Sequence, residues 1–238
     1  MVAASSGGIL VGNCSGCQGA KVKRVMKCVL GVFLLLASGV PASAAIVTYE
    51  LNLEFSGGTA PEGTAPWLRA SFADVLGGVQ LTMSSGLSGT EFASGWYFNF
   101  DPTRNAAGLG FSYVSGVMAS SPVSTGINAF KADGDGYFDI KFKFAANDFG
   151  QNDKSVYLIT GSDLDVYDFK FSSVQGGGNG TYYSAAHVQS IGTDGEGSGW
   201  IGAPEPGSPV VPLPAAAWLL GSGLLGLGVM RGRMKKRA

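Results

Sequence analysis

The amino-acid sequence predicts an all-β protein: a single antiparallel β-sandwich of jelly-roll type, followed by one C-terminal transmembrane helix. Apolar and polar residues alternate over residues 47–55 and 138–144, which is the period-2 pattern of a half-buried strand. Glycine-rich segments separate the apolar stretches, and no window outside the termini has a convincing helical period. Alternation with one polar face favours antiparallel sheets over a parallel sheet that is buried on both sides.

About eight short strands are predicted in residues 45–191, a segment long enough for one domain with its own core. The two alternating segments named above are the clearest of them. Turn-rich links such as 56–58, 133–136 and 175–180 separate the strands. Residues 67–76 are expected to hold at most one or two helical turns. The shorter predicted strands cover residues 78–83, 95–100, 108–114, 155–160, 165–171 and 181–191.

An apolar stretch without a charged side chain, residues 215–230, predicts the transmembrane helix. As a helix it would extend about 24 Å, and residues 210–214 bring it closer to the roughly 30 Å of a bilayer core. The basic residues that follow predict a cytoplasmic tail, which places everything before residue 210 outside. These tail residues are Arg231, Arg233, Lys235, Lys236 and Arg237.

The N-terminal region predicts a secretory signal peptide. Four basic residues between positions 21 and 27 precede the apolar run 28–40, and the small residues Ala42 and Ala44 provide a cleavage site after Ala44. Signal peptidase and the secretion machinery are therefore expected partners. Residues 1–21 are not typical of a signal peptide, so translation is predicted to start at Val22 or Met26. All three cysteines precede the cleavage site, so the mature chain is expected to have no disulfide and no reactive thiol.

The exported part of the chain is predicted to be strongly acidic, which the net charge of −1 for the whole chain hides. All 17 acidic residues lie between residues 50 and 205, but only seven basic residues do. A net charge near −10 disfavours nucleic acid as a partner, because phosphate binding needs clustered Lys and Arg. Such a surface favours cations or serves simple solubility, and we expect the second.

Three features follow one another at the C-terminus: a Pro-Glu-Pro tripeptide, a Val-Pro-Leu-Pro-Ala motif at the start of the apolar span, and the basic tail. This arrangement resembles the PEP-CTERM sorting signal, in particular its VPLPA-type variant. The resemblance implies recognition by an exosortase, a membrane-embedded cysteine transpeptidase of Gram-negative bacteria that cuts near the motif. Which of the two motifs the sortase reads is open. The motif residues are Pro204, Glu205, Pro206, Val211, Pro212, Leu213, Pro214 and Ala215.

The resemblance also implies a route and a destination. The chain is expected to pass through an inner-membrane intermediate, anchored by its C-terminal helix, to the cell surface or the extracellular matrix, often alongside exopolysaccharide. Residues 89–102, 128–142 and 185–202 resemble PEP-CTERM ectodomains to which no activity is attached. The chain is accordingly divided into the N-terminal extension with the signal peptide (1–44), the β-sandwich ectodomain (45–191), a Gly/Pro-rich linker with the Pro-Glu-Pro motif (192–209) and the membrane-spanning sorting signal (210–238).

A calcium site is one candidate for chemistry in the ectodomain. Asp133, Asp135 and Asp139, with one glycine after each of the first two, resemble part of a calcium loop. In an EF-hand alignment, however, Lys131 and Phe142 would occupy ligand positions that need carboxylates. The sequence therefore favours a glycine-rich hairpin turn and no bound cofactor, and a calcium site formed with remote carboxylates is the alternative.

The expected function is a structural or binding role at the cell surface or in the matrix, with exopolysaccharide as a candidate ligand. The alternative is a secreted polysaccharide-active enzyme that uses two carboxylates. His187, the only histidine, is expected to be an ordinary strand residue, because no Gly-x-Ser-x-Gly motif places a nucleophile beside it. Several aromatic residues could stack on sugars but are expected mainly in the core. They are Trp67, Trp96, Tyr97, Tyr182, Tyr183 and Trp200.

Overall fold

The computed structural model describes residues 44–134, 136–178 and 180–205. Of the described chain, 49% lies in strands and 4% in helices, and its strands pair antiparallel, so the all-β, antiparallel prediction is confirmed. The strands are β1 Ile46–Leu51, β2 Leu53–Glu54, β3 Leu68–Val75, β4 Gly78–Ser85, β5 Phe92–Phe98, β6 Gly110–Gly116, β7 Ser124–Ala132, β8 Gly136–Lys143, β9 Lys154–Thr160, β10 Val174–Gln175, β11 Ser184–Ile191 and β12 Gly197–Ala203.

The strands form two sheets. The five-stranded sheet has the order β1, β3, β4, β9, β6. The seven-stranded sheet has the order β10, β8, β5, β11, β12, β2, and β7 pairs with β8 beside this path. The chain passes between the sheets repeatedly, for example from β4 to β5 and from β5 to β6.

The main core draws side chains from both sheets. Tyr49 and Phe72 come from the five-stranded sheet, Trp96 and Phe98 come from the seven-stranded sheet, and all four are fully buried. Phe72 of β3 and Phe98 of β5 meet edge to face, with ring centroids 5.3 Å apart. Because each aromatic side chain removes a large apolar area from water, this cluster is the main source of stability.

A second, smaller cluster lies on the other face of the seven-stranded sheet. Successive residues of a strand point to opposite faces, so Tyr97 turns away from the core that holds Trp96 and Phe98. Tyr97 packs in this cluster with Ala185 and Tyr182, and Trp200 lies partly buried against them. The seven-stranded sheet therefore carries buried apolar side chains on both faces, but only one face belongs to the main core.

The predicted strands agree with the structure at most positions. The segment 47–55 corresponds to β1 and β2, which are separated at Asn52, and the segment 138–144 lies almost entirely within β8. Predicted strands 78–83, 95–100, 108–114, 155–160 and 181–191 overlap β4, β5, β6, β9 and β11. The predicted hairpin turn at 133–136 falls where β7 ends and β8 begins, and its described residues 133 and 134 form a turn between these antiparallel strands.

The main differences from the prediction lie in four segments. Within the segment 67–76, residues Leu68–Val75 form β3 instead of helical turns, because Leu68, Ala70 and Phe72 alternate into the core. The predicted strand 165–171 is wrong: a 3₁₀ helix, Val166–Phe169, forms there with Asp165 as its N-cap. Strand β7, most of whose residues are exposed, was not predicted. Strand β12 lies inside the predicted linker 192–209, where it pairs with β11 and β2, so regular structure continues to Ala203.

The predicted export and sorting signals lie largely outside the described residues. Ala44 is the first described residue, and Pro204 and Glu205 are exposed directly after β12. Ala42, Pro206, the motif residues 211–215 and the basic tail are not among the described residues. No helix in the described part of the chain is long and apolar enough to cross a membrane.

Candidate functional site

A depression of about 550 Å³ lies on the face of the seven-stranded sheet that points away from the main core. Lys143 of β8, Gly95 of β5, His187 of β11 and Trp200 of β12 pair in register across four strands, so their side-chain positions share this face. All four residues line the depression, which we call the Trp200 depression. Its other lining residues are Phe92, Ser94, Tyr97, Ser120, Lys141, Phe144, Ala145, Ala146 and Gln189.

The shape of the depression follows from residue size along two cross-strand rows. Gly95 lies between Lys143 and His187 and has no side chain to fill the floor. An added Cβ at position 95 would lie 3.2 Å from Cε2 of Tyr97, so even alanine would press on that ring. In the next row, Tyr97 pairs with Lys141 on one side and the small Ala185 on the other. The floor is thus low at Gly95 and is bordered by the Tyr97 ring.

His187 is held by two contacts inside the depression. Its imidazole stacks on the Trp200 indole, with ring centroids 4.8 Å apart and planes at 28°. Its Nδ1 atom lies 3.0 Å from Oγ of Ser94, within hydrogen-bond distance. The register of β5 against β11 shifts here, from Gly95 opposite His187 to Ala93 opposite Val188, so Ser94 is the extra residue of a β-bulge. Bulges re-aim side chains, and this one places the Ser94 hydroxyl beside His187.

The electrostatics of the depression combine a neutral imidazole with two cations. Burial lowers the pKa of His187 below its ordinary value, and the Asp133 carboxylate acts against this with a smaller effect. His187 is therefore neutral at pH 7. Lys141 places its Nζ atom 5.4 Å from the Tyr97 ring centroid, in a cation–π contact, and Lys143 is exposed. No carboxylate is among the described residues that line the depression.

This arrangement can bind better than it can catalyse. Ser94 and His187 have the spacing of a nucleophile and its base, but such a pair needs an acid that orients the base. In the described chain, the hydrogen bond of the His187 ring goes to Ser94 and not to a carboxylate. Hydrolysis by paired carboxylates would require two acidic side chains facing each other across the site. The described lining offers aromatic faces, hydroxyls and ammonium groups instead.

The aromatic residues singled out from the sequence divide between the core and the depression. Trp67 and Trp96 are buried in the main core, where Nε1 of Trp96 donates a 2.9 Å hydrogen bond to Oγ of Ser184. Tyr183 stacks on Tyr49 of the core, with centroids 6.0 Å apart. Tyr182 is buried in the smaller cluster and stacks on Phe55 at 4.2 Å. Only two members of the set, Tyr97 and Trp200, are among the residues lining the depression.

The predicted calcium residues are not gathered into a cluster by the described chain. Asp133 lies exposed in the β7–β8 turn, with φ +52°. Asp139 accepts hydrogen bonds from the backbone N–H groups of Asn128, at 2.7 Å, and Phe100, at 3.0 Å. Asp135 lies outside the described residues, and the described chain has no group of three His, Cys, Asp or Glu placed to hold a metal. Calcium binding stays a prediction.

The sequence does not predict Ser94, Gly95, Lys141 or Lys143 as site residues, and it predicts His187 to be an ordinary strand residue. A partial signal exists, because Lys141 and Lys143 alternate with the apolar residues of β8 and so had to share its polar face. Comparison with protein-family models, with curated proteins and with solved structures finds no match to this chain. The geometry of the depression and the terminal sequence motifs are therefore the basis for a proposed function.

Proposed function

We propose that this chain is an exported, exosortase-processed protein of the cell surface or extracellular matrix, which binds polysaccharide through a β-sandwich domain of jelly-roll type. Two antiparallel sheets with one shared core support the sandwich, and repeated crossing of the chain between the sheets supports the jelly-roll type. Its role is binding rather than catalysis, with exopolysaccharide as the ligand class.

The observation that carries the binding proposal is the aromatic surface of the Trp200 depression. The indole of Trp200 stacks on His187 and lies 5.3 Å, between centroids, from the tilted ring of Tyr97. Aromatic rings provide flat apolar faces for sugar rings, and the hydroxyl of Ser94 and the amide of Gln189 lie in the same depression for polar contacts. An open depression with such a lining suits one stretch of a polymer that continues beyond it on both sides.

The sorting proposal is supported by the order of motif, apolar span and basic tail in the sequence. Its first two motif residues, Pro204 and Glu205, are exposed directly after the last described strand. A processing enzyme acting there would meet the motif outside the folded core. The predicted span and tail at residues 210–238 would hold the chain in the inner membrane until processing.

Sorting can be tested by fractionating cells with and without the exosortase and mapping both termini of the protein by mass spectrometry. We expect the surface form to begin after Ala44 and to lack the basic tail, and we expect the tail to persist when the sortase is deleted. A surface form that keeps Arg231–Arg237 would refute processing. A precursor that begins at Met1 would separately refute the alternative starts at Val22 and Met26.

Binding can be tested with full-length protein purified in mild detergent and run through native gels that contain neutral or acidic polysaccharides. Retardation by at least one polymer is expected, and Trp200→Ala should weaken it about tenfold, as the loss of an aromatic anchor does. Tyr167→Ala is the matched control, because Tyr167 is 48% exposed on the 3₁₀ helix, away from the depression. Cooperative thermal unfolding of both variants shows that they are folded. Equal retardation of Trp200→Ala and Tyr167→Ala would contradict the assignment of the site.

A further inference from the structure

We infer that the polysaccharide bound in the Trp200 depression is acidic, carrying carboxylate or sulfate groups that meet Lys141 and Lys143. This inference rests on the proposed function, because it names the chemical class of the ligand for the same site. Three independent features of the depression support it: its charge, the spacing of its groups and the state of its two lysines.

The charge of the depression is opposite to that of the domain around it. Between residues 45 and 205 the acidic residues outnumber the basic ones by 17 to seven, yet the described lining of the depression has two lysines and no carboxylate. Solubility alone does not explain why two of the seven basic residues in this region lie together on one aromatic surface. In a depression walled by apolar side chains, their field is less screened than on an open surface.

The spacing of the groups fits a ligand that lies across the strands. Lys141 and Lys143 are two residues apart on β8, so their Cα atoms are about 7 Å apart on one face. The stacked pair of His187 and Trp200 lies on β11 and β12, and Trp200 is three strand spacings, or roughly 14 Å, from Lys143. If one sugar ring of a polymer stacks on Trp200, the adjacent sugar units of that polymer would therefore lie near the two ammonium groups.

Both lysines are available for a ligand. The ion pairs within the described chain are formed by Arg69 with Glu50 and by Arg104 with Asp168, and neither lysine takes part in one. The cation–π contact with Tyr97 restrains Lys141 beside the floor, so less conformational freedom is lost when an anion binds. Lys143 is exposed at the edge, where a polymer passing over the sheet would reach it.

The test compares matched polymers in the native-gel assay with full-length protein. Polygalacturonate is paired with its fully methyl-esterified form, and dextran sulfate is paired with dextran, so that each acidic polymer has a neutral partner with the same backbone. We expect stronger retardation by at least one acidic polymer than by its partner. The gain of each acidic polymer over its own neutral partner shows whether the carboxylate, the sulfate or both are recognised.

The lysines are tested by the double variant Lys141→Gln/Lys143→Gln, which removes the charges and keeps side-chain length. Its matched control is Lys154→Gln/Lys170→Gln, which neutralises two exposed lysines that do not line the depression. The first variant should lose about tenfold in affinity for the acidic polymer, and the control should lose little. Raising the salt concentration should weaken binding of the native protein, because exposed charges are screened.

The outcomes separate this inference from the proposed function. Binding that is equal for acidic and neutral partners, or equal in the two lysine variants, overturns the acidic ligand and leaves polysaccharide binding in place. Absence of binding to every polymer in the panel overturns the proposed function itself. A tenfold loss confined to Lys141→Gln/Lys143→Gln, together with cooperative unfolding of that variant, supports the inference.

Discussion

The two faces of the seven-stranded sheet are formed by the same strands, yet one is closed and the other is open. On the core face, Trp96 and Phe142 are fully buried against side chains of the five-stranded sheet. On the opposite face, the next residues along the same strands, Tyr97 and Lys143, line the depression. Since alternate residues of a strand point to opposite faces, one segment of sequence serves the core and the site at the same time.

The comparison shows that burial alone does not distinguish the two roles. Tyr97 is only 6% exposed, which is close to the values in the core, but it lines the depression and Nζ of Lys141 lies over its ring. What distinguishes the site face is the mixture of aromatic, cationic and hydroxyl groups on adjacent strands. The core face contains apolar groups almost alone, so the two faces should respond differently to the same kind of substitution.

The largest expected difference is in stability. Trp96→Ala should lower the free energy of unfolding by about 3–5 kcal/mol, because it leaves a cavity in the main core and removes the hydrogen bond to Ser184. Trp200→Ala, on the partly buried face, should cost about half as much or less. Urea denaturation of both full-length variants measures this. Equal losses would mean that Trp200 is a core residue, and that the distinction between the faces is wrong.

Much of the fold could be predicted because strong alternation is a local property of the chain. Strands β1 and β8 have a bulky apolar residue at nearly every second position, and both were found. Strand β3 was missed because Ala70 lies between Leu68 and Phe72 at a core position, so the pattern of bulky residues is interrupted. Strand β7 was missed because most of its residues are exposed, so its sequence has no apolar alternation. It is a strand because it pairs with β8.

The site could not be predicted because it depends on contacts between distant parts of the chain. Ser94 and His187 are 93 residues apart and meet only because β5 pairs with β11 through a bulge. Trp200 reaches His187 through β12, a glycine-rich strand whose sequence resembles a linker. Neither the register of strand pairs nor the position of a bulge can be read from one segment alone.

A smaller effect is expected at Asp139, where the open face carries a polar group with a structural role. Asp139→Asn should lower the free energy of unfolding by about 2 kcal/mol. Two backbone N–H groups donate to the carboxylate, and one of them would then face an amide NH₂ that cannot accept its hydrogen bond. Asp133→Asn is the matched control: it changes an exposed turn residue with positive φ, a conformation that asparagine tolerates, and should cost less than about 0.5 kcal/mol. Thermal unfolding of the full-length variants compares the two.

Asp139→Asn also tests the calcium hypothesis. If the protein binds no calcium, the melting temperature of the native protein is the same with calcium and with a chelator. The cost of Asp139→Asn is then also unchanged between the two conditions. A melting temperature that rises with calcium in the native protein but not in Asp139→Asn would instead establish a site that includes this carboxylate.

The smallest expected effect is the pH dependence that comes from His187. Because burial lowers its pKa, the unfolded chain takes up a proton near pH 6.5, where the folded chain still holds His187 neutral. The stability contributed by this group is therefore complete above about pH 6.5 and decreases as the pH falls below it, until the folded-state pKa is reached. The charged neighbours are Lys141 and Lys143, which line the same depression, and Asp133, which opposes the shift.

His187→Gln should lose less stability than the native protein between pH 7.5 and about pH 5.5, a range above the ordinary titration of carboxylates. Urea midpoints at the two pH values measure the difference, and the NMR signals of the only histidine give its titration directly. An identical loss in both proteins, or a midpoint at or above pH 6.5, would show that the pKa of His187 is not lowered in the folded protein.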